Sequence, residues 1–460
     1  MNGHRLFLYS FLSFALQLSS VVYADTLPNI VFINADDLTH KDLSIYGGQA
    51  HTPNFERLAS EGMQFSSCFQ AAPMCSPTRH NLYTGIYPVK SGAYPNHTFA
   101  KVGTKSIVHH LEPLGYRVAL SGKTHISPKT VFPFEYSGEK NPDMKVIEKL
   151  MVESKQAGTP FCLFACSNEP HTPWNLGDPS QYPVDEIELP PYFVDTPETR
   201  EGMAKYLAEI TYYDGQIGEI LDLLDQHELA DNTIVIASSE QGSSMPFAKW
   251  TLYDPGLQTA LVARWPGKIA AGSKTDALVE YVDVVPTLLD AVGATPVGEM
   301  DGESFLPVLT GEASEHKDYT FGIMTTNGII NGSDAYAIRS VRSKTHQLIL
   351  NLNHESKFTN ACTKSPEFVS WIAKAEAGLG RAQEFVDHYH HRPAVELYEV
   401  NSDWHQWNNL AGSEEHESIQ KELREQLDLW MKDQGDLGIP TEIAAPQHQG
   451  RNRKKQKTSP

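Results

Sequence analysis

Four apolar runs of this chain end in residues that can bind a cation or move a proton. NIVFINADD (29–37) ends in Asp36 and Asp37, YRVALSGKTH (116–125) in Lys123 and His125, and FCLFACSNEPH (161–171) in His171. NTIVIASSEQG (232–242) ends in Glu240 and Gln241, with Lys249 soon after. Asp36, Asp37, Glu240 and the Gln241 carbonyl are hard oxygen donors that suit Ca²⁺ or Mg²⁺, whereas zinc would want Cys or His. Arg79, Lys123, His125, His171 and Lys249 would bring positive charge and exchangeable protons to one pocket. Such a set fits metal-assisted attack on a phosphate or sulfate group. An acidic pair after one strand is more often a cap or a turn, but four strand ends of this kind are hard to dismiss together. The stretch AAPMCSPTRHNLYTG (71–85) adds Cys75 at the start of an expected helix, facing the positive end of its dipole. A thiolate pairs poorly with a hard cation, so an oxygen nucleophile is expected beside such ligands.

The elements that must hold these residues are legible in outline. Near-continuous apolar strands at 29–37, 116–125, 161–171, 232–242 and 259–267 suit a sheet covered on both faces. Helical patterns separate them: Thr52, Pro53 and Gly62 bracket one at 52–62, and 204–229 is long and amphipathic. Alternating strands and helices predict an α/β domain on a mainly parallel sheet, whose sites form beyond the carboxyl ends of the strands. From about residue 312 the pattern changes. A hairpin is expected at 336–353, a helix near 366–378, a strand and turn at 396–411 and a terminal helix at 413–433. The expected organisation is a catalytic domain over 25–315, a smaller antiparallel subdomain over 316–435, and a basic, disordered tail over 436–460.

Bulk properties narrow the class. The chain has 460 residues, 40% of them hydrophobic, which excludes wholesale disorder. A net charge of −20 argues against a general nucleic-acid footprint and requires local positive charge wherever an anion binds. Residues 1–24 read as a signal peptide, with His4 and Arg5 before an apolar stretch and a cut near Ala24. The mature protein is therefore expected to be exported, to the periplasm or medium in a bacterium or to a lysosome or the exterior in a eukaryote, with no integral membrane segment. The five cysteines, Cys68, Cys75, Cys162, Cys166 and Cys362, fit neither a disulfide scaffold nor a zinc site. Cys162 and Cys166 would share a strand face roughly 13 Å apart, too far to bridge. His109 and His110 read as surface, HYHHRP (388–393) as cleft-lining or exposed, and Trp174 and Trp250 as sugar-stacking or core. Asn96-His97-Thr98 and Asn331-Gly332-Ser333 are sequons, meaningful in a eukaryotic secretory pathway.

Cys75-Ser76-Pro77-Thr78-Arg79, followed by LYTG, resembles the C-x-P-x-R signature of the type I, formylglycine-dependent sulfatases, and the other motifs stand in that family's order. The resemblance spans about residues 28–435. GKTHISPKTVFPFEY (122–136) and LPPYFVDTPETREGMAKYLAEI (189–210) are most similar to the heparan N-sulfatase (sulfamidase) branch, which bacterial enzymes acting on O-sulfated algal polysaccharides also resemble. The resemblance implies an alkaline-phosphatase-like fold, with helices on both sides of the large sheet and an antiparallel C-terminal subdomain. It implies that a maturation enzyme oxidises Cys75 to formylglycine, whose hydrated aldehyde attacks sulfur. It further implies that Asp36, Asp37, Glu240, Gln241 and the converted Cys75 hold one Ca²⁺. Arg79 would orient the diol, Lys123 and Lys249 would hold sulfate oxygens, His171 with Lys249 would protonate the leaving group, and His125 would take a proton. The expected activity is release of O-sulfate from a sulfated poly- or oligosaccharide. Hydrolysis of N-sulfoglucosamine and an inactive glycan-binding homologue are the alternatives. A phosphatase of the same superfamily would keep Ser or Thr as nucleophile, or a histidine-rich two-metal site, and neither is seen. The family usually places Asp and then Asn or His where this chain has Glu240-Gln241, each one methylene longer.

Overall fold

A computed structural model describes residues 27–450; the expected signal peptide and the last ten residues lie outside the described residues. Nine strands form the large sheet: β1 (Asn29–Asn34), β2 (Met63–Phe69), β3 (Arg117–Gly122), β4 (Glu135–Ser137), β5 (Phe161–Cys166), β6 (Thr233–Ser238), β7 (Gln258–Arg264), β8 (Ser273–Thr275) and β9 (Val279–Glu280). Their order is β4-β3-β5-β1-β6-β7-β2-β8, with β9 beside β2. β1, β3, β5 and β6 are mutually parallel, while β7 runs antiparallel to both β6 and β2. β2, with its polar Gln64, Ser66 and Ser67, carries too broken an apolar pattern to be read as a strand from sequence, yet it pairs with β7 and extends the sheet.

Alternation within the central strands explains their continuous apolar run. Ile30, Phe32, Leu120, Phe164 and Ile236 face one core, with Leu82 and Tyr83 of the helix Cys75–Thr84. Val31, Ile33, Leu163 and Val235 face the other, covered by Tyr206, Leu207, Ile210 and Tyr213 of the helix Pro197–Gln226. Every second residue thus packs on each side, so all six residues of β1 are buried. Cys162 and Cys166 lie on the same face, free and buried.

A second sheet follows, antiparallel throughout: β10 (Thr320–Met324), β11 (Ile338–Arg342), β12 (His346–Asn351) and β13 (Val395–Glu399), in that order across the sheet. Helices Pro366–Glu376, Ala382–His390 and Glu417–Gln434 pack around it.

Three expectations are corrected. The tail is not unstructured from 436: Ile439–Ala444 is helical, Ala445–His448 forms a 3-10 turn, and Gln449 is fully buried. His110 is buried rather than on the surface. HYHHRP neither lines the cleft nor is simply exposed: His388 packs on Trp407, His390 bonds the Phe358 carbonyl at 2.8 Å, and Arg392 lies 4.0 Å over the Phe358 ring. His391 and Pro393 are the exposed members.

Candidate active site

The strand register is what gathers the reactive residues. Asn34 pairs with both Cys166 and Ser238, and Gly122 pairs with Cys166, so β1, β3, β5 and β6 end at one level. Asp36, Asp37, Lys123, His125, His171, Glu240 and Gln241 all follow within a few residues of that edge. Gly122 is required there: its φ is +99°, and an added Cβ would land on the Cys166 carbonyl.

The helix Cys75–Thr84 packs on one face of the sheet and brings Cys75 and Arg79 to the same edge, with all ten residues buried. Arg79 is fully buried, 2.9 Å from Glu240 Oε1, and donates to the Lys123 and Ala35 carbonyls at 3.0 and 3.2 Å. Burial works against its charge, but Glu240, together with Tyr83, Cys166 and Cys75, more than offsets burial and raises its pKa. Lys123 ion-pairs with Asp36, and Lys249 with Asp37 at 2.6 Å. Ser244 Oγ donates to Asp37 at 2.8 Å. Burial alone would raise Asp37, but Lys249 and His171 more than offset it and hold the carboxyl below its ordinary value.

Cys75 Sγ lies 3.0 Å from His125 Nδ1. Burial pushes the thiol up to about 12 against the pull of Lys249, so unmodified Cys75 is a poor nucleophile at neutral pH. Burial, then Lys123 and His97, keep His125 neutral by lowering its pKa well below the usual imidazole range. His171 Nε2 stands 3.7 Å from Asp37 Oδ2, and burial, against the pull of Asp37, lowers its pKa to about 4.

The donor set fits a hard cation. Asp36, Asp37 and His171 offer ligand atoms within 4.8 Å of one another. Gln241 Nε2 donates to Asp36 at 2.9 Å and Asp37 at 2.7 Å, while its Oε1 is buried without a partner. An orphaned amide oxygen beside two buried carboxylates is what an oxygen-liganded ion would satisfy. Glu240 is the member that stands apart, since it is bound to Arg79. Three carboxylates (Asp36, Asp37, Glu240) face Arg79, Lys249 and Lys123, whose pKa burial and then Lys249 lower to about 7, so the set is at most formally neutral before any anion enters.

A cavity of 330 Å³ opens onto these groups, and Cys75, His125, His171 and Lys249 form its reactive wall. Trp174, Trp250 and Ile330 supply its apolar wall, Asn96 and Glu367 its polar one. Trp250 lies 5.1 Å from the Lys249 ammonium and Trp174 Nε1 donates to the Pro170 carbonyl at 2.8 Å. Arg79, Glu240 and Gln241 lie behind that wall, fully buried. Sequence reasoning missed Ser244, three residues past Gln241, and His97, visible only as the middle of a sequon. Asn96 of that sequon is 6% exposed, so it offers little surface for a glycan.

Comparison with known proteins points the same way. The family model described as Sulfatase matches residues 28–294, and the model for the C-terminal region of N-sulphoglucosamine sulphohydrolase matches 242–360. An ulvan-active sulfatase of Formosa agariphila is 33% identical over 433 residues, covering 91% of this chain and 83% of its own. The N-sulphoglucosamine sulphohydrolase of Homo sapiens is 26% identical over 481 residues, covering 92% and 94%. Among solved structures, a protein in complex with its substrate D-glucosamine-2-N,6-O-disulfate superposes with a TM-score of 0.68 at 20% identity, over 89% of this chain and 99% of that one. A 2-O GAG sulfatase superposes at 0.66 and 19% identity, over 89% and 93%. These two share the fold. With its reactive groups gathered at the carboxyl edge of such a sheet, and with a family model covering more than half its length, the chain belongs to the sulfatase family.

Proposed function

We propose that this sulfatase hydrolyses O-sulfate esters of a sulfated poly- or oligosaccharide, with a formylglycine made from Cys75 as nucleophile and one Ca²⁺. The observation that carries the reading is Cys75 itself. It sits in a C-x-P-x-R helix start, 3.0 Å from a neutral histidine, at the wall of a cavity onto which Lys249 and His171 also open. The buried thiol has little nucleophilic capacity of its own, so the position makes chemical sense when sulfur is replaced by oxygen. The converted side chain supplies an oxygen nucleophile and, on losing sulfate, returns to an aldehyde. A maturation enzyme is then a necessary partner, and the expected signal peptide supports export.

Asp36, Asp37 and the Gln241 oxygen would hold the cation. Glu240, turned to Arg79, is the ligand the geometry supports least. The ion would supply the positive charge that a formally neutral set lacks when an anionic ester arrives. His125 Nδ1 is placed to take a proton from the group at position 75. Lys249, on the cavity wall, and Lys123, behind it, would turn from Asp37 and Asp36 to hold the sulfate oxygens once the cation takes over those carboxylates. Lys249, whose charge Asp37 secures against burial, is the better-charged proton donor to the departing sugar oxygen. His171 is neutral here and can act as an acid once the anionic substrate raises its pKa.

The cavity wall supports a sugar carrying a single sulfate at this position. Among its lining residues, Lys249 is the one Lys or Arg, while Glu367 is acidic and Trp174 offers a stacking face. The 33% identity to an ulvan-active sulfatase supports the same choice. The match of residues 242–360 to the N-sulphoglucosamine sulphohydrolase model keeps N-sulfate as the second reading.

The test is sulfate release, by ion chromatography, from protein co-expressed with a formylglycine-generating enzyme. O-sulfated algal oligosaccharides and N-sulfated glucosamine oligosaccharides are the substrates, and Cys75→Ala is the blank. Release from the O-sulfated set, absent in Cys75→Ala, is the expected result. Release from the N-sulfated set alone would move the assignment to the second reading. Unconverted Cys75 with full activity would sink the mechanism, and converted residue 75 with no release from either set would point to an inactive homologue.

A further inference from the structure

His125 has a second partner. Its Nδ1 lies 3.0 Å from Cys75 Sγ, and its Nε2 lies 2.9 Å from His97 Nδ1, with ring centroids 4.7 Å apart. A neutral imidazole carries one proton, so the bond at one nitrogen decides what the other can do. Two arrangements close the chain. In one, His125 Nε2–H donates to His97 Nδ1, and His125 Nδ1 presents a lone pair to position 75. In the other, His97 Nδ1–H donates to His125 Nε2, and Nδ1–H points at residue 75. The second aims a proton at sulfur, a weak acceptor, and leaves the S–H without an acceptor at that contact. The first gives every proton in the chain a lone pair.

His97 does not hold this place through its own local preferences. It has φ +55° and His125 φ +47°, both in the left-handed region that few non-glycine residues occupy. The surroundings must impose them. The restraint on His97 comes from the far end of the chain. Gly450 N–H donates to the His97 carbonyl at 3.0 Å, Gln449 Nε2 to the Asn96 carbonyl at 3.0 Å, and Thr98 Oγ1 to the His448 carbonyl at 3.0 Å. Tyr94 OH donates to the Thr441 carbonyl at 3.0 Å. On its other side the loop is tied to the helix start, since Thr98 N–H donates to Ser76 Oγ at 3.3 Å and Ser76 Oγ donates to the His125 carbonyl at 3.0 Å.

We propose that His97 is a positioning residue which accepts the Nε2 proton of His125, so that His125 Nδ1 stays unprotonated toward position 75, and that the segment Thr441–Gly450 holds His97 there. The role presupposes the nucleophile at position 75 proposed above. It makes the C-terminal segment part of the active-site scaffold, although it lies more than 300 residues from either histidine in sequence.

The first test needs no turnover. In full-length, unconverted protein labelled with ¹⁵N-histidine, the His125 nitrogens should report the proton on Nε2. In His97→Ala the two tautomers should mix. His97→Asn, whose amide oxygen can accept and whose backbone tolerates positive φ, should restore the wild-type pattern. The second test is kinetic, on matured enzyme. His97→Ala should lower kcat about ten- to a hundredfold with KM little changed, His97→Asn should recover most of it, and Gln449→Ala should fall between. A proton on Nδ1 of His125 in the wild type overturns the proposal. So does an unchanged tautomer in His97→Ala, or an equal kcat loss in the Ala and Asn variants. A wild type with the expected tautomer but no sulfate release would support the positioning and count against the proposed function instead.

Discussion

At the residue scale this site is a set of charges held in balance rather than a set of strong bases. Asp36 and Asp37 are each capped by a lysine, Glu240 is tied to Arg79, and the Gln241 oxygen has no partner. An ion bound by Asp36, Asp37 and Gln241 would release the lysines from neutralising carboxylates. Tight chelators should therefore abolish sulfate release and lower Tm, and added Ca²⁺ should restore both; indifference of both readouts would refute the metal assignment. A second consequence lies one loop away. Burial pushes the Asp42 carboxyl up to about 6, against the hydrogen bonds from Tyr206 and Thr39. The folded pKa is above the unfolded one, so the charged form is disfavoured in the fold. The penalty is absent below about pH 4, grows as pH rises through 6, and is complete above it. Asp42→Asn keeps an acceptor for Tyr206 OH and should raise stability at pH 7.5 by about 1 kcal/mol, a figure discounted for its partial exposure. The gain should fade by pH 4 in denaturant melts. A gain that does not vary with pH would show that Asp42 is not the cause.

At the element scale, four parallel strands ending in register do the work of assembly. Short polar turns after β1, β3, β5 and β6 emerge at one level, and the helix Cys75–Thr84 fills the space before them. The turn after β3 works because Gly122 has no side chain. Gly122→Ala would force a Cβ into the β5 backbone at a φ of +99°, and should cost about 3 kcal/mol or more. Because Lys123 and His125 follow directly, the same variant should lose activity before it loses its fold. Full activity at normal Tm would mean that the turn relaxes, and that the register does not dictate where Lys123 sits.

At the scale of the whole molecule, the two sheets are not independent units. Tyr253 OH donates to Glu396 at 2.8 Å, Arg342 pairs with Asp254 at 3.0 Å, and Gln347 Nε2 donates to the Leu252 carbonyl at 2.7 Å. Phe69, Leu252 and Leu257 share a core with Tyr336, Ile338 and Trp371. The C-terminal segment is fastened by Asp436, paired with fully buried Arg339, and by Glu442, which accepts from the Thr326 and Asn327 amides at 2.8 and 2.7 Å. Asp436→Ala would strand a buried guanidinium and should cost about 3–5 kcal/mol. Far-UV dichroism and tryptophan fluorescence should report one coincident unfolding transition in the wild type and in this variant. Two separate transitions would show that the sheets unfold apart.

The chemistry of this protein was largely written in local sequence. C-x-P-x-R, the acidic pair after β1, the Gly-Lys before His125 and the Pro-His after β5 each declare a residue type at a strand or helix end. The central strands announced themselves because both their faces are buried, leaving unbroken apolar runs. Other features had no local signature. β2 is half polar and takes its place from pairing with β7, and Glu240 meets Arg79 across 161 residues, both fully buried. His97 meets His125 across 28 residues, held by a C-terminal segment whose polar composition reads as a loose tail. Local pattern reports what a residue can do and which face it buries. Which residues meet, and in what geometry, is settled by long-range register and packing, whose free energy comes from contacts between segments far apart in the chain.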